Sequence, residues 1–384
     1  RDRAELMQKP FTQLGQRHNI IRQFTPNWFT VSMGTGVVAL IVSEFPMLKA
    51  LTWQLGTGLW YFNILLFVLF SVLYGLRWAF YPHEAKQIFQ HPSMSLFLGT
   101  IPMALATILN GFLKYGQPIY GDTAVQIAQT LWYADVVLAL LVAWAVPFAM
   151  YRHQEHALQQ MTAVWLLPIV ACEVAASSGG LLLGHLAADT HAVAILLGSY
   201  VLWGVSVLPA FAILTILMLR LVLHKLPEKE LAVSSWLALG PIGTAALALL
   251  VLGHQAPTLM ASLGLAQLGQ FFQQTGILAS LILLGFGLWW LGIAVLTTLH
   301  HAKQDLPFNL GWWGLTFPLG VYTLAILTLA QQLNLAFLYA VGYAFAAILM
   351  LLWSLVATKT VHGFYQGHLF FSPCLKTYLE QQYK

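Results

Sequence analysis

The sequence predicts an all-α integral membrane protein of ten transmembrane helices, paired as five helical hairpins around a central pore. Odd-numbered helices are expected to be kinked and to form an inner ring, with even-numbered helices outside them. Three observations carry this reading. The first is composition: of 384 residues, 59% are hydrophobic and only 8% charged, against about a quarter charged in soluble domains. The second is that ten apolar runs, each about the 20 residues needed to cross a bilayer, are separated by short polar punctuation. The third is a small-residue and proline signature that recurs in every odd-numbered run.

The runs follow in order. Asn27 to Phe45 opens the set; it is preceded by a polar, charged segment without a small-residue cleavage pattern, so it reads as a span and not as a signal peptide. Gly58 to Phe80, Ser93 to Leu113, Thr123 to Met150, Val164 to Leu186 and Val193 to Leu223 come next. Leu231 to Gly253, Phe271 to Leu299, Pro307 to Gln331 and Leu335 to Thr358 complete it. The organisation is therefore a cytoplasmic N-terminal segment, 1–26, a transmembrane domain, 27–358, and a cytoplasmic C-terminal tail, 359–384. Both flanking segments mix basic and aromatic residues, which suits anchoring at an anionic leaflet.

Charge placement tests the count. With ten spans, fifteen of the 17 Lys and Arg residues fall on one side, and only Lys49 and Lys114 on the other. Positive residues collect in cytoplasmic loops, so both termini are expected in the cytoplasm and the protein in the cell membrane. The net charge of +4 is what those loops require, and it does not point to a nucleic-acid partner. Cys172, inside an apolar run, and Cys374, near the C-terminus, set no disulfide framework and read as reduced and unpaired.

The recurring signature appears as Met33-Gly34-Thr35-Gly36, as Gly99-Thr100-Ile101-Pro102, and as Pro168 followed by Ser177-Ser178-Gly179-Gly180. It returns as Gly240-Pro241-Ile242-Gly243-Thr244 and as Thr316-Phe317-Pro318-Leu319-Gly320. Successive copies are one hairpin apart, so all five odd runs point the same way, as in parallel repeats about the membrane normal. A proline within a helix frees the carbonyl four residues earlier, here Leu98, Val164, Leu237 and Gly314, and freed carbonyls belong inside the protein or beside water. The competing reading is that Gly and Pro serve close packing between helices.

At this level of detail the sequence becomes recognisable. The stretches Asn27-Trp28-Phe29-Thr30-Val31-Ser32-Met33-Gly34-Thr35-Gly36, His91-Pro92-Ser93 with Phe97-Leu98-Gly99-Thr100-Ile101-Pro102-Met103, Trp165-Leu166-Leu167-Pro168-Ile169-Val170 with Ser178-Gly179-Gly180, and Phe308-Asn309-Leu310-Gly311-Trp312-Trp313 with Thr316-Phe317-Pro318 resemble the tellurite-resistance/dicarboxylate transporter family. That family includes fungal malate permeases, sulfite efflux pumps and the slow anion channels of plant guard cells. The resemblance spans Asn27 to about Thr358 and implies an anion-conducting path through each subunit, and commonly a homotrimer. The first and third spans look nearest to the malate-permease branch. By resemblance Phe317 matches the phenylalanine that occludes the pore beside a proline kink, with Phe308 second; a core aromatic packed behind the kink is the alternative.

No Lys or Arg lies near the middle of any span, so a small anionic substrate must be held by weaker fields. Helix-terminal N–H groups and the hydroxyls of Thr35, Thr100, Ser177, Ser178, Thr244 and Thr316 can supply them, lined up with Gly34, Gly36, Pro102, Pro168, Gly240, Pro241 and Pro318 along the path. Each hydroxyl has the alternative of bonding back to its own helix. Glu173 and Asp135 lie at mid-membrane depth, where an ionisable group marks a partner or a pathway. A charged carboxylate facing an anion path would repel the cargo, so Glu173 is read as carrying its proton and as a candidate for proton coupling; Asp135, on an outer helix, reads as structural. No nucleophile–base pair, phosphate-cradling loop or metal-ligand cluster is legible, so no enzyme activity, cofactor or metal is expected. The function expected is transport of C4-dicarboxylates such as malate, with proton linkage open; the alternative is a channel or exporter for sulfite, chloride or nitrate.

Overall fold

A computed structural model describes residues 15–16 and 18–383. Arg1, Arg3, Lys9 and Arg17, four of the five basic residues ahead of the first span, therefore lie outside the described residues.

The described residues are helical, without strands. The principal helices are α1 (Phe29–Val42), α2 (Lys49–Phe80), α3 (Thr100–Gly111), α4 (Asp122–Arg152), α5 (Leu167–Leu183), α6 (Thr190–His224), α7 (Leu239–Ala261), α8 (Ala266–Ala302), α9 (Phe317–Leu333), α10 (Ala336–Gln366) and α11 (Pro373–Gln382). Nine of the helical segments are long and apolar enough to cross a membrane, and α1 with the turn before it forms a shorter apolar helix, Pro26–Val42. The chain is an integral membrane protein.

Burial sorts the helices into two layers. In the membrane-crossing stretches of α2, α4, α6, α8 and α10 only 22–33% of residues are buried, and in those of α3, α5, α7 and α9, with their preceding turns, 72–94% are. Every residue of α1 from Phe29 to Ile41 is buried. The buried helices touch in a closed cycle, α1 to α3 to α5 to α7 to α9 and back to α1, and each also packs on the exposed helix that follows it. Alternation is possible because both layers are apolar: lipid accepts an outward Leu as readily as the core does, so periodicity within one helix does not choose its layer.

The prolines bend the chain differently from a mid-helix kink. Each buried helix enters as a tighter 3₁₀ segment, Pro26–Trp28, Met94–Gly99, Ala163–Leu166, Lys229–Ala238 or Leu310–Leu315, before widening to α. Pro168 and Pro318 occupy the second position of their α segments, and Pro102 and Pro241 the third. In the first turn the missing N–H costs little and the fixed φ suits the helix, so the proline marks where the geometry changes.

Glycines let the buried helices close up. A Cβ on Gly99 would stand 2.6 Å from the Leu167 carbonyl carbon and 2.9 Å from Pro168 Cα, and one on Gly243 2.7 Å from the Tyr322 amide nitrogen. Backbone cannot retreat as a flexible side chain can, so these two contacts require glycine. Polar punctuation caps the helices: Asp189 Oδ1 accepts the Ala192 N–H at 2.8 Å, and Asn309 Oδ1 accepts that of Gly311 at 2.8 Å.

The C-terminal tail folds back onto the protein. The buried Arg77 guanidinium donates to Phe24 O at 2.5 Å and to Ser372 Oγ at 3.0 Å, and the Ser372 N–H donates to Gln23 Oε1 at 2.8 Å. Phe370 stacks on Trp28 at 5.0 Å. Arg22 meets Glu84 with two hydrogen bonds, at 2.6 and 3.0 Å. Cys172 and Cys374 are both free thiols and buried; burial pushes the Cys374 thiol up to about 12, so it is not a ready nucleophile.

Candidate functional site

Three cavities follow one another along the axis of the buried ring. The near cavity, about 240 Å³, lies among the first turns of the buried helices and is lined by Asn27, Thr30, Phe97, Leu167, Ser234, Asn309 and Gly314, among others. The far cavity, about 930 Å³, lies among their last turns. Between them is a waist of only about 20 Å³. All five buried helices line it: Val37 from α1, Thr107 and Asn110 from α3, Val174 and Ser177 from α5, Thr244 from α7, and Phe317 and Val321 from α9.

The waist shares its lining with one cavity and not with the other. Leu40, Asn110, Leu247 and Leu324 line both the waist and the far cavity, whereas no residue lines both the waist and the near cavity. Along α9, Gly314 just before the helix faces the near cavity and Phe317 the waist, so the Phe317 ring, 3% exposed, lies on the side of the waist toward the near cavity.

No charged side chain lines the waist; Glu230 lines the near cavity, and the cations gather in the far one. Lys49 and Lys114, the two lysines that the span count places on the sparsely charged face, both line it, with His185, His254 and Glu44. Lys114 Nζ donates to Leu40 O at 2.6 Å, near the end of α1, and pairs with Glu44. Because all five buried helices end here, their dipoles present negative ends that would repel an anion, and these cations offset them.

The structure sorts the hydroxyls named from the sequence. Thr100 Oγ1 lies 2.6 Å from Phe97 O and 3.1 Å from Pro26 O, and Thr316 Oγ1 donates to Trp313 O at 2.7 Å. Thr35 Oγ1 accepts the Trp353 indole N–H at 3.2 Å, on the side away from the waist. Ser178 is buried, its hydroxyl without a partner, and lines none of the three cavities. Ser177 and Thr244 do line the waist, and the Thr244 hydroxyl, 1% exposed, has no hydrogen-bond partner.

Gly34, Gly36 and Gly240 line none of these cavities, nor do Pro102, Pro168, Pro241 and Pro318. They place the path without facing it: a Cβ on Gly34 would meet Trp313 at 2.7 Å, and one on Gly36 would meet Asn63 at 2.7 Å. Phe308 packs its ring on Trp312 at 5.4 Å, away from the waist. Glu173 and Asp135 are fully buried, without hydrogen-bond partners for their oxygens, and line none of the three cavities.

Sequence reasoning passed over Asn110 and Thr107. An Asn within the apolar run Ser93 to Leu113 was the available signal, because a polar amide at that depth needs a partner or a cavity.

The family model for the voltage-dependent anion channel matches residues 23–361. The chain belongs to that family. It is 36% identical over 344 residues to the sulfite efflux pump of Arthroderma otae, covering 89% of this chain and 91% of that one. An uncharacterized transporter of Methanocaldococcus jannaschii is 29% identical over 357 residues, covering 92% and 96%. The malic acid transport protein of Schizosaccharomyces pombe is 21% identical over 361 residues, covering 92% and 81%. Family membership makes this an anion transporter or channel homologue, as the sequence motifs suggested. The identities do not favour malate: they run higher to a sulfite pump than to the malic acid transporter, against the expectation drawn from the first and third spans.

Proposed function

We propose that the protein passes small anions through the waist between the two cavities, with sulfite as first cargo and Phe317 as the closure. The observation that carries this reading is the uncharged waist to which all five buried helices contribute, set between two wider cavities. Weak hydroxyl, amide and apolar contacts let an anion leave as readily as it enters, where a fixed lysine would hold it. A dicarboxylate would bring two charges to a site with no cation, so a small singly charged oxyanion such as hydrogensulfite fits the waist better, in line with the higher identity to sulfite pumps.

In this reading α1 is a tenth crossing, so that α1 to α10 form five hairpins with both termini in the cytoplasm. Each protomer holds a whole path, so the homotrimer implied by the resemblance would serve membrane packing and not conduction.

Flux into liposomes holding the purified protein tests the proposal, with sulfite, malate and chloride compared with and without a pH gradient. Sulfite flux above protein-free vesicles is expected. Absence of flux for all three anions sinks the reading, and malate flux exceeding sulfite flux reverses the cargo order. Glu173→Gln is expected to leave rate and pH response unchanged, because the carboxyl lines none of the three cavities; a lost pH response would restore it as a coupling group.

A further inference from the structure

Thr244 and Asn110 set the waist apart from the rest of the path. Most hydroxyls near the axis are spent on backbone: Thr107 donates to Ala104 O at 2.7 Å, Thr316 to Trp313 O at 2.7 Å and Thr323 to Leu319 O at 2.8 Å. Thr244 Oγ1, by contrast, is buried, unpartnered and at the waist. Asn110 stands where the waist meets the far cavity, and its Oδ1 is likewise buried without a partner. A buried polar atom left unpaired costs about 1–3 kcal/mol, so the passing cargo or water must complete both groups.

We infer that Asn110 and Thr244 form a binding station for a singly protonated oxyanion, with hydrogensulfite as the probe. This rests on the waist being the anion path. The Thr244 hydroxyl can donate to an anionic oxygen. An amide offers one acceptor and donors in either orientation, so Asn110 can accept the O–H of the cargo at Oδ1 while its N–H donates. A halide has no proton to give and leaves Oδ1 unsatisfied. A fully ionised dianion has the same defect and carries a second charge into a waist without cations. A cargo that both accepts and donates completes the amide and the hydroxyl together, which a halide or a dianion cannot do. The far cavity, with Lys49 and Lys114, lies directly beyond, so the station sits on the same side of Phe317 as the cations.

The test compares sulfite and chloride flux in liposomes holding wild-type protein, Thr244→Val, Thr244→Ser or Asn110→Leu. Thr244→Val keeps the shape and removes the hydroxyl; it is expected to raise the half-saturating sulfite concentration about tenfold, the loss of one hydrogen bond to a charged group. Thr244→Ser should restore it. Asn110→Leu is expected to lower the sulfite-to-chloride flux ratio about tenfold and to blunt the rise of sulfite flux on mild acidification. Unchanged half-saturation and flux ratio in both variants overturns the station, as does an equal loss for both anions in stably folded Asn110→Leu protein. If Asn110→Leu does not fold, Thr244→Val decides alone. Wild-type protein that passes neither anion removes the path itself, a failure distinct from that of the station.

Discussion

The indole of Trp353 on α10 donates to Thr35 Oγ1 on α1 at 3.2 Å, across 318 residues of sequence. It closes a series. Trp60 on α2 donates to Ile108 O on α3 at 3.1 Å, Trp132 on α4 to Ala175 O on α5 at 2.8 Å, and Trp203 on α6 to Ala245 O on α7 at 3.1 Å. Tyr322 on α9 reaches back to Leu284 O on α8 at 2.6 Å. Exposed and buried helices are thereby tied at every step around the ring. Trp353→Phe keeps most of the apolar surface and removes the last tie. It is expected to cost about 1 kcal/mol, read as a lowered Tm of the purified protein, with sulfite flux retained. An unchanged Tm would show that the bond contributes nothing.

Phe317 tests the closure. Phe317→Ala removes the ring between waist and near cavity, so flux should rise and become less selective even as the cavity lowers stability by about 3 kcal/mol. Phe308→Ala should leave flux at the wild-type level, since that ring rests on Trp312 away from the waist. Liposome flux with both variants side by side checks the pair; equal effects would remove Phe317 from the gate.

Lys49 should act by charge and not by contact. It is exposed at the far cavity, so Lys49→Gln is expected to reduce anion flux two- to threefold at low ionic strength and hardly at all at about 0.5 M salt, where screening shortens its reach to a few ångströms. A loss independent of salt would point to direct ligation instead.

His91 links stability to pH. Its Nδ1 accepts the N–H groups of Met94 at 2.9 Å and Ser93 at 3.2 Å, capping the 3₁₀ entry to α3, which requires that nitrogen to be unprotonated. Burial lowers its proton affinity below the ordinary 6.5. The folded protein therefore binds fewer protons than the unfolded chain, and this contribution is complete above 6.5 and lost as the pH falls through the folded value. Tm is expected to fall between about pH 7 and about pH 5, and His91→Asn, which can cap without titrating, should flatten that slope. An unchanged slope would assign the acid sensitivity elsewhere.

Two threonines show what was legible in advance and what was not. Thr100 and Thr244 both sit within three residues of a buried-helix proline, Pro102 and Pro241, and nothing in the sequence separates them. In the fold Thr100 meets the carbonyls of Pro26 and Phe97, whereas Thr244 meets no partner and lines the waist. The same ambiguity covered Phe317 and Phe308, and hid Asn110.

Sequence alone determined that the chain lives in a bilayer, that odd and even runs differ, and that no fixed cation waits at mid-depth, because these follow from local composition and from where Pro and Gly recur. Tertiary structure alone decided which hydroxyls remain unspent, which aromatic ring lines the waist, and that Lys49 and Lys114 share one cavity. The reason is physical: a helix apolar on every side carries no periodic mark of its inward face, so that face is chosen only when five such helices close on one another.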